Sequence, residues 1–193
     1  RPPVRSTMRR GSSARACLQA PRQSPRSTRC SPRRWGRCSR WRVLVLLEFL
    51  DRPALPGALE ELARTHAIVA APGESAVLAR TREVMAEYFA GAAVAFDLPL
   101  DLRGSDFEQR VWRALLDIPR GQTRSYGEIA AALGQPGAAR AVGLANGRNR
   151  VAIIVPCHRV IGADGSLVGY GGGQARKAWL LRLEGVIARD LFA

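Results

Sequence analysis

The first 42 residues of the chain contain no aspartate or glutamate, although they contain thirteen arginines. Arg, Ser and Pro dominate this head, and no sustained apolar period runs through it. Such a composition cannot bury enough apolar area to offset the entropy of ordering the chain. We therefore expect residues 1–42 to be a disordered or non-native head. Three origins fit: a targeting peptide, a nucleic-acid-binding arm, or a misread frame or misplaced start, which we favour.

Cysteine and histidine are scarce in the rest of the chain. Only Cys157 of the four cysteines lies beyond the head, and His66 and His158 are the only histidines. No Cys-x-x-Cys pair occurs, so a structural zinc site lacks a credible ligand set, and we expect no metal or other cofactor. A single cysteine also excludes a disulfide scaffold there, which fits a reducing compartment such as the cytoplasm. No apolar run approaches the roughly 18 residues of a membrane span.

Charge is unevenly distributed beyond the head. Residues 43–108 carry a formal net charge of −6, whereas residues 109–183 carry +8. A basic folded half fits a polyanionic partner, with nucleic acid first among the candidates. A merely solvated surface fits the charge equally well.

Local patterns predict an α/β (α+β) fold in two parts, the first of which is a small N-terminal αβ domain over residues 43–100. A short apolar run, two stretches at helical spacing and one alternating stretch predict its elements. These are a strand, two helices and a strand, at residues 43–49, 59–64, 74–90 and 94–100. Residues 101–105 are predicted to be a linker.

The C-terminal domain, residues 106–185, is predicted to be mainly helical and winged-helix-like. Capping-box pairs at Ser105/Glu108 and Ser125/Glu128 mark the start of two helices. The second of these is a helix over 126–133, which is followed by a helix over 138–146, a buried strand over 151–155 and a final helix over 174–184. The Gly-containing turn between the helices over 126–133 and 138–146 resembles a helix-turn-helix, although a generic helical hairpin has the same pattern.

A potential nucleophile follows the apolar run over 151–155 directly, in Pro156-Cys157-His158. Proline ends a strand, so the cysteine is presented where the strand stops. A free thiol has a pKa of about 8.5 and needs a base near neutral pH. His158 is that candidate base, through a bridging water because adjacent side chains often point apart. Glu184 on the last helix could orient the imidazole, which gives a Cys–His–Glu relay.

Each of these residues also has a plainer interpretation when taken alone. A lone cysteine is usually a small buried hydrophobe, a lone histidine is usually structural, and a glutamate at a helix end is usually solvated. Only the combination favours catalysis.

The segment Asn149-Arg-Val-Ala-Ile-Ile-Val-Pro-Cys-His-Arg-Val-Ile161, with the loop Gly169-Tyr-Gly-Gly-Gly173, resembles the active-site signature of the methylated-DNA–protein-cysteine methyltransferases, or O6-alkylguanine-DNA alkyltransferases. The resemblance covers roughly residues 106–185 and, more weakly, extends back to Val43. It implies DNA repair by stoichiometric transfer of a methyl or alkyl group from O6-alkylguanine, and O4-alkylthymine, to Cys157, which inactivates the protein. It also implies a bacterial cytoplasmic monomer that binds double-stranded DNA in the minor groove.

The resemblance assigns roles in catalysis to four residues. Cys157 is the alkyl acceptor, His158 is the base acting through a water, Glu184 orients His158, and Asn149 braces the turn that presents the cysteine. Chemistry at a guanine oxygen requires the base to rotate out of the stack, at a cost of a few kcal/mol.

Further residues are implied in binding the DNA. Arg140 matches the family's arginine finger, which fills the hole left by the extruded base, and Tyr126 is expected near the flipped guanine and its phosphate. Small residues on the second helix allow close approach to the groove. The remaining binding residues are Ala139 and Gly143 on that helix, Val160, whose main chain would read the guanine edge together with that of Cys157, and Tyr170 and Gly171, which would line the pocket.

The chain departs from the family pattern in two places. Arg150 stands where relatives commonly carry proline after the asparagine, and the acid-free head replaces an orderly β-hairpin. Two other functions share some of these features: that of a DNA-binding relative that senses alkylation without repairing it, and that of a cysteine hydrolase. The presence of Cys157 disfavours the first, and the lack of a recognisable oxyanion hole disfavours the second.

Overall fold

The computed structural model describes residues 43–187 together with the backbone of a two-residue strand in the head. That strand, β1 (Cys17–Leu18), pairs antiparallel with β2 (Leu46–Leu47). The expectation of a disordered or non-native head otherwise lies outside the described residues. The remaining strands are β3 (Arg124–Ser125) and β4 (Val160–Ile161), which pair in parallel. The helices are α1 (Leu55–His66), α2 (Ala76–Phe89), α3 (Asp106–Leu116), α4 (Tyr126–Ala132), α5 (Ala139–Gly147) and α6 (Gln174–Leu183).

The predicted mixed α/β class is confirmed, and the two helices with a predicted capping box begin where that box indicated. Both capping boxes form: Ser105 caps α3 and Ser125 caps α4, each with the glutamate three residues later reaching back. Helix α1 begins four residues earlier than predicted, because a proline occupies its first turn, where the missing amide costs nothing.

The predicted strand over 94–100 is wrong except at its last residue. Leu100 forms an isolated parallel bridge with Leu44, with hydrogen bonds from the Leu44 amide to the Pro99 carbonyl (2.7 Å) and from the Asp101 amide to the Leu44 carbonyl (3.0 Å). Side chains of this stretch alternate against the core as a strand would, but Phe96 and Leu98 find no backbone partner strand. The alternation of apolar side chains in this stretch therefore reflects the burial of one face and not pairing with a neighbouring strand.

The predicted strand over 151–155 is also wrong beyond its start, although every residue in it is buried. Val151 forms an isolated parallel bridge with Leu47, and the Ala152 amide donates to the Leu47 carbonyl (2.7 Å). The segment bridges to itself through Ala152 and Val155, and Ile153 adopts a left-handed backbone with φ of 72°. A positive φ is unusual for a β-branched residue. The chain turns tightly here, and a periodicity argument cannot distinguish an apolar turn from an apolar strand.

One apolar core joins the two predicted domains. It contains Leu44, Val84 and Tyr88 from the N-terminal part and Val111 and Leu180 from the C-terminal part. Helices α4 and α5 pack against each other and against α3, with the turn between them passing through Gly134 at a φ of 73°. The division at residues 101–105 remains a prediction.

Candidate active site

Cys157 lies at the start of a single 3₁₀ turn, Cys157–Arg159, immediately after the buried segment 151–155. Its side chain is only 5% exposed, and its sulfur accepts a hydrogen bond of 2.9 Å from the Asn149 amide. Burial raises the pKa of the thiol to about 11, and the Asn149 amide opposes that shift. The resting cysteine is therefore a protonated thiol at neutral pH, and a base has to take its proton.

Asn149 organises the turn that presents Cys157. Its side-chain oxygen accepts from the Val151 amide (3.0 Å), and its amide nitrogen donates to the Val155 carbonyl (2.9 Å) as well as to the sulfur. These side-chain hydrogen bonds hold the turn where a regular strand would have been held by backbone hydrogen bonds to its neighbour. Asn146 adds a bond from its amide to the Cys157 carbonyl (3.3 Å).

His158 and Glu184 form a buried pair. The histidine Nε2 lies 3.0 Å from Glu184 Oε1, and both side chains are fully buried. Burial lowers the pKa of His158, against the effect of Glu184. With its Nε2 proton directed at the carboxylate, a neutral imidazole presents an Nδ1 lone pair, and Nδ1 has no hydrogen-bond partner among residues 43–187. That nitrogen is available to accept a proton.

Two further residues bind the Glu184 carboxylate, and sequence reasoning missed both. Arg159 donates from Nε and from a terminal nitrogen, each at 2.8 Å, and the Tyr88 hydroxyl donates at 2.7 Å. Burial raises the pKa of Glu184, but hydrogen bonds from His158 and Arg159 outweigh it and hold the pKa well below the usual range. Arg159 stands inside the signature and could have been suspected, whereas Tyr88 looked like any apolar position of α2.

The predicted DNA-binding residues fall on one surface of α4 and α5. Arg140 is exposed, and Ala139 is half-buried beside it. Tyr126 packs close to Gly143, whose missing Cβ would lie 3.8 Å from the tyrosine ring, and the Tyr126 hydroxyl donates to the Val168 carbonyl (2.9 Å). The structure thus brings the helix-turn-helix against the loop that follows β4.

The remaining predicted residues lie in β4 and in the loop before α6. Val160 is buried in β4, and its carbonyl accepts from Lys177, the only lysine of the chain. Burial lowers the pKa of Lys177 to about 8. Tyr170 is half-buried with its hydroxyl unpaired among the described residues, and Gly171 follows it in the loop before α6.

The described residues contain no cluster of three or more His, Cys, Asp or Glu side chains that could hold a metal ion. Nor does any helix among them have the length and apolar character to cross a membrane. The groups that the site offers for chemistry are the buried thiol of Cys157, the neutral imidazole of His158 and the negatively charged carboxylate of Glu184.

Residues 106–186 match the family described as 6-O-methylguanine DNA methyltransferase, DNA binding domain. The methylated-DNA–protein-cysteine methyltransferase of Mycobacterium leprae (strain TN) is 62% identical over 111 residues, which are 58% of this chain and 67% of that protein. The chain belongs to this family. The resemblance predicted from the signature is therefore confirmed.

Other methylated-DNA–protein-cysteine methyltransferases match the same half of the chain. The protein of Mycobacterium tuberculosis (strain ATCC 25618 / H37Rv) is 72% identical over 97 residues, or 50% of this chain. The match spans only 59% of that curated relative. The crystal structure of Mycobacterium tuberculosis OGT in complex with DNA superposes with a TM-score of 0.62 at 56% identity, and the match covers 74% of this chain and 80% of that one.

Proposed function

We propose that this chain repairs alkylated DNA by moving a methyl or larger alkyl group from O6 of guanine, and from O4 of thymine, to Cys157. The observation that carries the proposal is the Cys157 thiol, braced by Asn149 and adjacent in sequence to the His158–Glu184 pair, in the fold of this family. Each chain acts once, because a thioether has no easy leaving group.

The reaction begins with the thiol proton. Nδ1 of His158 accepts it through a water, and Glu184 and the hydrogen bond from Nε2 stabilise the imidazolium that forms. The thiolate attacks the alkyl carbon, so that a carbon–sulfur bond forms as the carbon–oxygen bond breaks. The electron pair of the broken bond stays on the base, which takes back one proton and becomes guanine. No cofactor is needed to balance these steps.

The proposed partner is double-stranded DNA, bound in its minor groove by one copy of the chain. Exposed Arg140 and the small residues Ala139 and Gly143 support this placement, because a helix with small side chains can approach a groove closely. Arg140 would occupy the gap in the stack, Tyr126 would face the extruded nucleotide, and the main chain of Val160 with Tyr170 and Gly171 would enclose the base. The same activity fits a cytoplasmic location.

Mass spectrometry tests the transfer directly. The purified chain is mixed with a duplex that contains one O6-methylguanine, and its peptides are compared with those from an unmodified duplex and from Cys157→Ser. A methyl group on the Cys157 peptide, at no more than one per chain and with guanine restored in the DNA, supports repair. Tight binding without methylation would indicate a sensor, and multiple turnovers of a thioester or ester would indicate a hydrolase; either result contradicts the proposal.

A further inference from the structure

A buried ion pair lies behind the Asn149 turn and has no place in the mechanism above. Glu48 follows β2, and Arg52 follows four residues later; their side chains are 3% and 11% exposed. Removing two charges from water is costly, and a buried pair often stabilises a fold no better than apolar residues would. Its position therefore calls for a role other than stability.

The Arg52 guanidinium joins three segments. One terminal nitrogen binds Glu48 and also donates to the Asn149 carbonyl (3.0 Å), while the other donates to the Gly147 carbonyl. The guanidinium also lies against Gly171: a Cβ at that position would be 2.6 Å from a terminal nitrogen. A side chain from the N-terminal part thus holds the cysteine-presenting turn on one side and touches the loop of Tyr170 and Gly171 on the other.

The charges of the pair act on Cys157 in opposite directions. Beyond the dominant effect of burial and the bond from Asn149, the Glu48 carboxylate raises the pKa of the thiol and the Arg52 guanidinium lowers it. Glu48 is itself held by the Phe49 amide (3.0 Å) as well as by Arg52, so its position is fixed.

We propose that Arg52 is a positioning residue for alkyl transfer, which holds the Asn149 turn against the Cys157 sulfur, with Glu48 as its counterion. The proposal rests on the function proposed above, because positioning matters only if Cys157 reacts. Arg52 touches no reacting atom: it acts through the Gly147 and Asn149 carbonyls. Loss of its two bonds loosens the turn and the Asn149 amide with it, and removes the nearby positive charge.

The pH dependence of Cys157 reactivity separates this role from a merely structural one. The full chain is treated with iodoacetamide between about pH 8 and 12, a range that includes the pKa of about 11 for the Cys157 thiol. Mass spectrometry follows the peptide that contains Cys157, so the other cysteines do not interfere. Arg52→Gln should move the midpoint of the curve of alkylation rate against pH to a higher pH. At pH values below that midpoint the reaction should be about tenfold slower, as a rise of one unit in the pKa of Cys157 would make it. Glu48→Gln, which can still bind Arg52, should move the midpoint downward. This assay uses no DNA, so it remains informative if methyl transfer fails.

The matched control is Arg176→Gln. Arg176 joins the same N-terminal segment to α6 through Asp51 (2.8 Å) and the Phe49 ring, but makes no bond to the Asn149 turn. The pH midpoint of Cys157 alkylation in the Arg176→Gln variant should equal that of the wild type. If Arg52→Gln and Glu48→Gln leave the midpoint unchanged, or move it in the same direction, the proposal is overturned.

Two more variants decide the matter if Arg52→Gln does not fold. Arg52→Lys keeps the charge but cannot bond both carbonyls as a planar guanidinium does; a near-normal midpoint with slowed methyl transfer supports positioning, and transfer at the normal rate contradicts it. Gly171→Ala should push the Arg52 guanidinium away from the Asn149 turn and so shift the midpoint. In a chain that already carries Arg52→Lys, adding Gly171→Ala should no longer shift the midpoint. Strict additivity of the two changes would contradict a shared route.

Discussion

At the scale of single residues, the Glu184 carboxylate is the group of the site to which several other side chains bind. It accepts from His158, Arg159 and Tyr88, and all of these groups are buried. The carboxylate therefore has two functions: it holds the imidazole and it neutralises the Arg159 guanidinium.

Glu184→Gln should consequently cost stability as well as rate. The variant leaves the Arg159 charge buried without a counterion, so we expect the free energy of unfolding at pH 7 to fall by about 3 kcal/mol. Urea denaturation followed by circular dichroism measures it. Tyr88→Phe is the control, because it removes one donor and leaves the charges balanced.

The same pair predicts a pH dependence. The pKa of Glu184 is lowered in the folded chain, so its stabilisation is complete above the unfolded value of about 4.3 and is lost as pH falls toward the folded value. The urea midpoints of the wild type and Glu184→Gln should therefore converge as the pH is lowered below about 4.3. A gap that stays constant on acidification would show that the carboxylate is not ionised in the fold.

From the sequence we could propose the residues that the structure brings together at the candidate site, but not those that support them. Cys157, His158 and Asn149 are close in the chain, and Glu184 followed from the need for an acceptor and from the family resemblance. Tyr88 and Arg52 come from distant segments and contact the site through tertiary packing alone. No local pattern marks a tyrosine whose hydroxyl, rather than its ring, is the useful part.

At the scale of elements, cap signals were more reliable than hydrophobic periodicity. Both capping boxes formed because they depend on residues three apart whose bonds are local. The stretches over 94–100 and 151–155 were misassigned because alternation and apolar runs indicate burial, whereas a strand also needs backbone pairing along its length, and each stretch pairs at one end only.

Ser125→Ala tests how far the cap of α4 matters for DNA binding. Loss of the cap should cost about 1 kcal/mol of stability, and should weaken binding to a methylated duplex because Tyr126 begins that helix. Ser105→Ala removes the equivalent cap from α3 and should cost similar stability with unchanged DNA affinity. Fluorescence anisotropy measures the affinities; equal losses for both variants would place the effect in global stability.

Arg140→Ala tests the second helix. The side chain is exposed, and its proposed task is to fill the gap left by an extruded base. The rate of methyl transfer from duplex DNA should fall far more than the rate from free O6-methylguanine, since the free base needs no extrusion. Single-turnover rates on the two substrates measure this, and equal reductions would contradict the finger assignment.

At the scale of the whole molecule, charge is segregated along the chain while the larger apolar cluster is shared between the two stretches. Residues 109–183 carry +8 and residues 43–108 carry −6, yet side chains from both stretches share one apolar cluster. The positive charge that would attract a polyanion therefore lies in the stretch that contains the predicted DNA-binding helices.

Binding to undamaged duplex should therefore depend steeply on salt. Each phosphate neutralised contributes a slope of about −0.9 to log K against log salt. The rate with free O6-methylguanine should change little over the same range, because that substrate carries no phosphate. Anisotropy titrations from low to physiological salt provide the slope, and a slope near zero would exclude phosphate contacts as the source of affinity.

The hydroxyl of Tyr88 on Glu184 has a consequence for any attempt to transplant the proposed activity. A graft of residues 106–187 onto another carrier would contain the thiol, the imidazole and the carboxylate, together with the whole stretch that matches the family's DNA-binding domain. It would leave behind the phenol that completes the hydrogen bonding of Glu184. The recipient would contain the reacting side chains but would lack one of the hydrogen bonds that hold Glu184 in place. The smallest fragment that keeps the complete site therefore extends back at least to α2.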